Sequence, residues 1–69
     1  MTPLQQEVLN VIDDWQKRYR NSPNPREIAL TIKRHRSSVE KALHGLQRKG
    51  YIYLEKVFYR VMIVRTERV

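Results

Sequence analysis

Sixty-nine residues leave room for one small core, about what three helices and a hairpin can share, and little for an elaborate active site. Fourteen Lys and Arg against seven Asp and Glu give a formal charge of +7, and on so small a body that excess points to a polyanionic partner. The absence of cysteine excludes a disulfide framework and any thiolate metal site. No apolar run approaches the roughly 18 residues of a bilayer span, and the start lacks a signal-peptide pattern, so the chain reads as cytoplasmic.

Thr2, Pro3 and Gln5 open a first helix with a cap, a proline at the first helical position and the return half of a capping box. Leu4, Val8, Val11, Ile12, Trp15 and Tyr19 then recur at helical spacing, while Gln6, Asp13, Asp14, Lys17 and Arg18 fall toward water. Trp15 belongs to the apolar stripe rather than to a base-stacking platform. Asp13 and Asp14 are adjacent, about 100° apart on a helix, and read as solvated charges. The Ser22-Pro23 and Asn24-Pro25 pairs break the helix. Asn24, Pro25 and Glu27 then open a short second helix, with Ile28, Ala29 and Ile32 as its buried edge. Arg26 stands in its first turn, where a phosphate contact is expected.

Lys33, Arg34, His35 and Arg36 make a basic turn suited to a phosphate backbone. Ser37 reads as the cap of a third helix, with Glu40 three residues on completing a capping box. Val39, Ala42, Leu43 and Leu46 fall at i, i+3, i+4 and i+7 and form its buried stripe. Arg48 and Lys49 occupy the last turn and Gly50 stops the helix. The opposite face carries Ser37, Lys41, His44 and Arg48, with Ser38 and Gly45 at its edge, a short-chained and basic surface that suits a DNA groove.

Residues 51–54 alternate and 57–64 are rich in β-branched and aromatic types, which predicts two strands with Glu55 and Lys56 at the turn. Ile52 and Leu54 are expected to face the helices and Tyr51 and Tyr53 to face out. In the second strand Tyr59, Val61 and Ile63 share one side and Met62 and Val64 the other, and the latter lack obvious cover. Residues 65–69 read as a polar tail.

Three helices followed by a two-stranded antiparallel β-hairpin describe an α+β winged helix-turn-helix, one domain over residues 1–69 with its third helix in the major groove and its hairpin near the flanking backbone. Gln5-Gln6-Glu7-Val8, Glu27-Ile28-Ala29, and Ser37, Ala42, Leu43, Leu46 and Arg48-Lys49-Gly50 together resemble the DNA-binding domain of LexA-type repressors. That resemblance implies a sequence-specific regulator whose base readout is concentrated on Ser37, Ser38, Glu40 and Lys41. Arg26, Arg34, Arg36, His44, Arg48 and Lys56 complete the expected DNA contacts. The basic turn departs from the family pattern in having no glycine, which puts a different angle between the second and third helices in view. Such repressors continue into a self-cleaving protease and dimerisation domain where this sequence ends, so the resemblance carries neither property over.

Catalysis is not expected. His35 and His44 have no third ligand at a plausible spacing, and no phosphate loop or nucleophile signature is present. No cofactor is expected. The partner is double-stranded DNA, bound by a homodimer, with the hairpin strand as the expected contact unless the tail after Arg65 folds back and covers that face. The competing reading is a winged-helix module that binds another regulator through Phe58, Tyr59, Met62 and Val64. Single-stranded binding on Tyr51, Tyr53 and Tyr59 is a third.

Overall fold

The computed structural model describes residues 1–57 and 60–66, the side chains of Val57 and Arg60 excepted. Helix α1 (Pro3–Tyr19) starts as its sequence predicts. The Gln5 N–H donates to Thr2 Oγ1 at 3.1 Å and the Thr2 N–H donates to Gln5 Oε1 at 3.2 Å, closing the capping box around Pro3. Its core line is Val8, Leu9 and Ile12, with Leu4 and Val11 half-buried beside them. The periodicity misses Leu9 and runs too far. Tyr19 is 56% exposed, and Trp15 is half-buried against it, ring centroids 4.8 Å apart. The last turns of α1 overhang the core and tether the connection that follows: Trp15 Nε1 donates to Asn21 Oδ1 at 2.8 Å and Gln16 Nε2 to Ser22 Oγ at 3.1 Å.

Helix α2 (Pro25–Ile32) is capped by Asn24, whose Oδ1 accepts from the Glu27 N–H at 2.8 Å. The return bond of the expected capping box runs between side chains instead, Asn24 Nδ2 donating to Glu27 Oε1 at 3.0 Å. Ile28 and Ala29 are buried and Ile32 packs at their edge. Lys33 closes the helix with φ 57°. The missing glycine of this turn is thus replaced by a lysine in the left-handed conformation, at a cost of about 1 to 2 kcal/mol.

Helix α3 (Arg36–Arg48) packs against α1, α2 and the first strand. Val39, Ala42, Leu43 and Leu46 are all buried, as their spacing predicts. Its start is corrected: His35, not Ser37, is the capping residue, and it contributes no side-chain bond. Ser37 already lies inside the first turn. The Ser37–Glu40 capping box does not form, because Ser37 is the second residue of the helix and not its cap; Glu40 accepts from Arg36 Nε instead. At the other end the Gly50 N–H donates to Gln47 O at 3.0 Å and the Tyr51 N–H to Leu46 O at 2.9 Å. That pair of bonds requires a left-handed residue, and Gly50 supplies it with φ 84°. Gly45 lies against α1, not at the groove face: a Cβ there would collide with Gln5 Nε2. Gln5 Oε1 also accepts from Lys49 Nζ at 2.9 Å, so one side chain joins the start of α1 to the end of α3.

Strands β1 (Ile52–Val57) and β2 (Arg60–Arg65) pair antiparallel, with Ile52 opposite Arg65, Leu54 opposite Ile63 and Lys56 opposite Val61. Glu55 and Lys56 are therefore ladder residues and not the turn, since the β-branched Val57 extends the first strand. Phe58 and Tyr59 lie outside the described residues. Ile52 and Ile63 are buried and Leu54 half-buried, while Tyr53, Met62 and Val64 face out. Tyr51 does not face out; it is half-buried against the core. The Leu54 N–H donates to Gln47 Oε1 at 2.7 Å, which fastens β1 to the end of α3. The opposite strand is fastened by Arg65, whose Nε donates to Asp13 Oδ1 at 2.7 Å and whose Nη1 donates to Tyr51 O at 2.7 Å. Asp13 is thus an ion-pair partner rather than a solvated charge, and Arg65 is a strand residue rather than tail.

Hydrogen bonds to charged groups contribute about 1.5 to 3 kcal/mol each when partly sheltered, and among the described residues Arg65 is what ties the hairpin to α1 in this way. Arg65→Ala is expected to lower unfolding stability by about 2 kcal/mol, read from urea denaturation. Asp13→Asn should cost less and, in a double-mutant cycle, show coupling to Arg65. No helix among the described residues is long and apolar enough to cross a membrane.

Candidate nucleic-acid interface

The buried stripe of α3 fixes which residues its free face presents. With Val39, Ala42, Leu43 and Leu46 inward, Ser37, Lys41, His44 and Arg48 are exposed on the other side, and none of the four has a side-chain partner among the described residues. Ser38 is half-buried at the edge of this face. The left-handed turn at Lys33 then folds α2 back so that Arg26, Lys33, Arg34, His35 and Arg36 line one shallow concavity with Ala29 and Leu30. Arg26 at the start of α2 and Arg34 and Arg36 beyond its end are brought together there, next to the first turn of α3. Leu30 lies 71% exposed among them. Its position off the Ile28, Ala29 and Ile32 edge agrees with this exposure.

The electrostatics of this surface follow from where the acids are. Asp13 pairs with Arg65, and Asp14 with Arg18 at 3.4 Å; both acids are on α1. Glu27 is engaged by Asn24, and Glu40 by Arg36 at 3.1 Å. Arg26, Lys33, Arg34, Lys41 and Arg48 are left without an acidic partner among the described residues. Lys56 is exposed further along the hairpin, on the strand face that carries Ile52 and Leu54. Because His35 caps α3 with backbone alone, the first-turn N–H groups of that helix also have no side-chain acceptor, and such groups favour anions. Of the aromatic residues considered for base stacking, Tyr51 is turned into the core edge beneath Arg65, whose guanidinium carbon lies 5.9 Å from its ring centre. Tyr53 is exposed on the outer strand face, so these two do not form a common platform.

Three helices with a basic, open third helix, followed by an antiparallel hairpin, define a winged helix-turn-helix. The chain belongs to the LexA DNA binding domain family, whose model matches residues 1–58. That match takes in all three helices and the first strand. No individual curated protein matches the chain. Membership makes this a sequence-specific DNA-binding domain with the role of a transcriptional regulator, in a family of binding domains rather than catalysts.

Proposed function

We propose that residues 1–69 are a single domain that reads double-stranded DNA with α3 in the major groove and the hairpin beside the flanking backbone. One observation carries this reading: α3 buries one face and opposite it presents Ser37, Lys41, His44 and Arg48, exposed, basic and without a side-chain partner among the described residues, which is the form of a helix kept for a ligand. Ser37, Ser38 and Lys41 lie at the base edges, with His44 deeper along the same face. Arg26, Lys33, Arg34, Arg48 and Lys56 hold phosphates, and the basic concavity sets the register on the backbone. The protein acts as a cytoplasmic repressor that binds as a homodimer, since one such domain spans only a few base pairs and paired half-sites supply the remaining specificity.

The competing reading, a module that binds another regulator, is favoured by the outer hairpin face, where Tyr53, Met62 and Val64 are 57, 48 and 39% exposed. Binding profiles separate the two. Lys41→Ala should relax base preference and cost about 1 to 3 kcal/mol on the best site, whereas Arg26→Ala should weaken every sequence alike. A duplex library bound to each variant and sequenced gives the comparison. Uniform losses for both variants would remove Lys41 from the groove.

A further inference from the structure

We infer that Arg36 reads a guanine in the major groove and that Glu40 is a positioning residue for it, an inference that rests on the groove placement of α3 proposed above. Arg36 is the first residue of α3 and Glu40 stands one turn later on the same side. Arg36 Nε donates to Glu40 Oε1 at 3.1 Å, with both side chains well exposed. An exposed pair of this type adds little to stability, so its consequence is geometric. The guanidinium is a rigid planar fork. With its Nε edge engaged by the carboxylate, the end-on pair of Nη donors is left free, and the Nη groups make no hydrogen bond among the described residues. Two parallel donors in one plane match the O6 and N7 acceptors of guanine.

The neighbouring arginines sharpen the assignment. Arg26 and Arg34 line the same concavity and carry no acidic partner among the described residues. A carboxylate beside a phosphate-binding arginine weakens the contact by repulsion, and the two residues best placed for the backbone lack one. Of the three arginines in the concavity Arg36 alone has a carboxylate partner among the described residues, which biases its side chain toward one orientation before binding and so lowers the ordering cost at the moment of contact. Glu40 therefore acts through Arg36, and not as a reader of its own base.

The test is selection from a duplex pool with a randomised core, run on the unmodified chain and on Arg36→Ala, Arg36→Lys, Glu40→Ala and Glu40→Gln. The selected duplex is then titrated with and without its guanine. The unmodified chain should prefer guanine at one position by about tenfold to a hundredfold. Arg36→Ala and Arg36→Lys should abolish that preference. Glu40→Ala should reduce it at the same base pair while binding unselected duplex more tightly, because a negative charge has left the phosphate side. Glu40→Gln, which keeps an acceptor for Nε, should retain part of it. Thermal melts of all four should stay close to the unmodified chain, as the pair is exposed. A change at a different base pair in Glu40→Ala would make Glu40 a reader, and an unchanged selection in Arg36→Ala would make Arg36 a backbone contact. Either result overturns the inference and leaves α3 in the groove. An unmodified chain that selects no sequence removes the groove reading itself.

Discussion

Duplex binding should collapse as salt rises. Each phosphate neutralised by a cation releases condensed counterions, and log affinity falls by roughly 0.9 per phosphate for each tenfold rise in salt. Arg26, Lys33, Arg34, Arg48 and Lys56 are exposed and free of acidic partners among the described residues. One phosphate for each gives a slope of about −4.5, hence roughly a 500-fold loss between about 50 and 200 mM salt for one domain. Fluorescence anisotropy of a labelled duplex across that range measures the slope directly. Removing a backbone contact, as in Arg34→Ala, should make the slope shallower by about 0.9, whereas removing a base contact should lower affinity with the slope nearly unchanged. A flat response would place the interaction-module reading ahead, since neither the concavity nor α3 would then be engaging phosphates.

The helices were legible because their signals are local. Thr2 with Gln5, Asn24 with Glu27, and Gly50 act within a few residues of themselves, and the stripe from Val39 to Leu46 needs only the helical period. The errors lie where the path of the backbone or a partner on another element decides. Ser37 looks like a cap until Lys33 adopts a left-handed turn without being a glycine and lets α3 begin at Arg36. Glu55 and Lys56 look like a turn because both are polar, yet each sits in the ladder, opposite Met62 and Val61. Asp13 looks solvated until Arg65, 52 residues away, reaches it. The same holds for the candidate interface. The face of α3 could be written down from spacing alone, whereas the meeting of Arg26 with Arg34 and Arg36 depends on how α2 folds back, and the hold of Glu40 on Arg36 is visible only once Arg36 is known to be helical.

The hairpin register makes adjacent residues opposites, and a charge placed on each should show it. Ile63 is fully buried, opposite Leu54, while Met62 next to it is 48% exposed, opposite Glu55. Side chains alternate across a strand, so a slip of one residue would exchange these environments. Ile63→Glu would bury an unpaired carboxylate, at a cost of several kcal/mol. A chain of this length has a total stability of roughly 3 to 10 kcal/mol, at about 0.05 to 0.15 kcal/mol per residue. Ile63→Glu is therefore expected to abolish the cooperative thermal transition monitored by circular dichroism. Met62→Glu should stay folded and melt only slightly below the unmodified chain, because its carboxylate stays in water and meets like charge across the ladder in Glu55. That difference gives the Met62 variant a second use, since its DNA binding can be read without loss of fold. If the outer hairpin face joins two copies on paired half-sites, Met62→Glu should bind a selected two-site duplex as independent monomers and lose the second, slower-migrating species in a gel titration. Retention of that species would move the dimer contact off the hairpin. An unfolded Met62→Glu beside a stable Ile63→Glu would mean that the strands pair one residue away from the Leu54–Ile63 register.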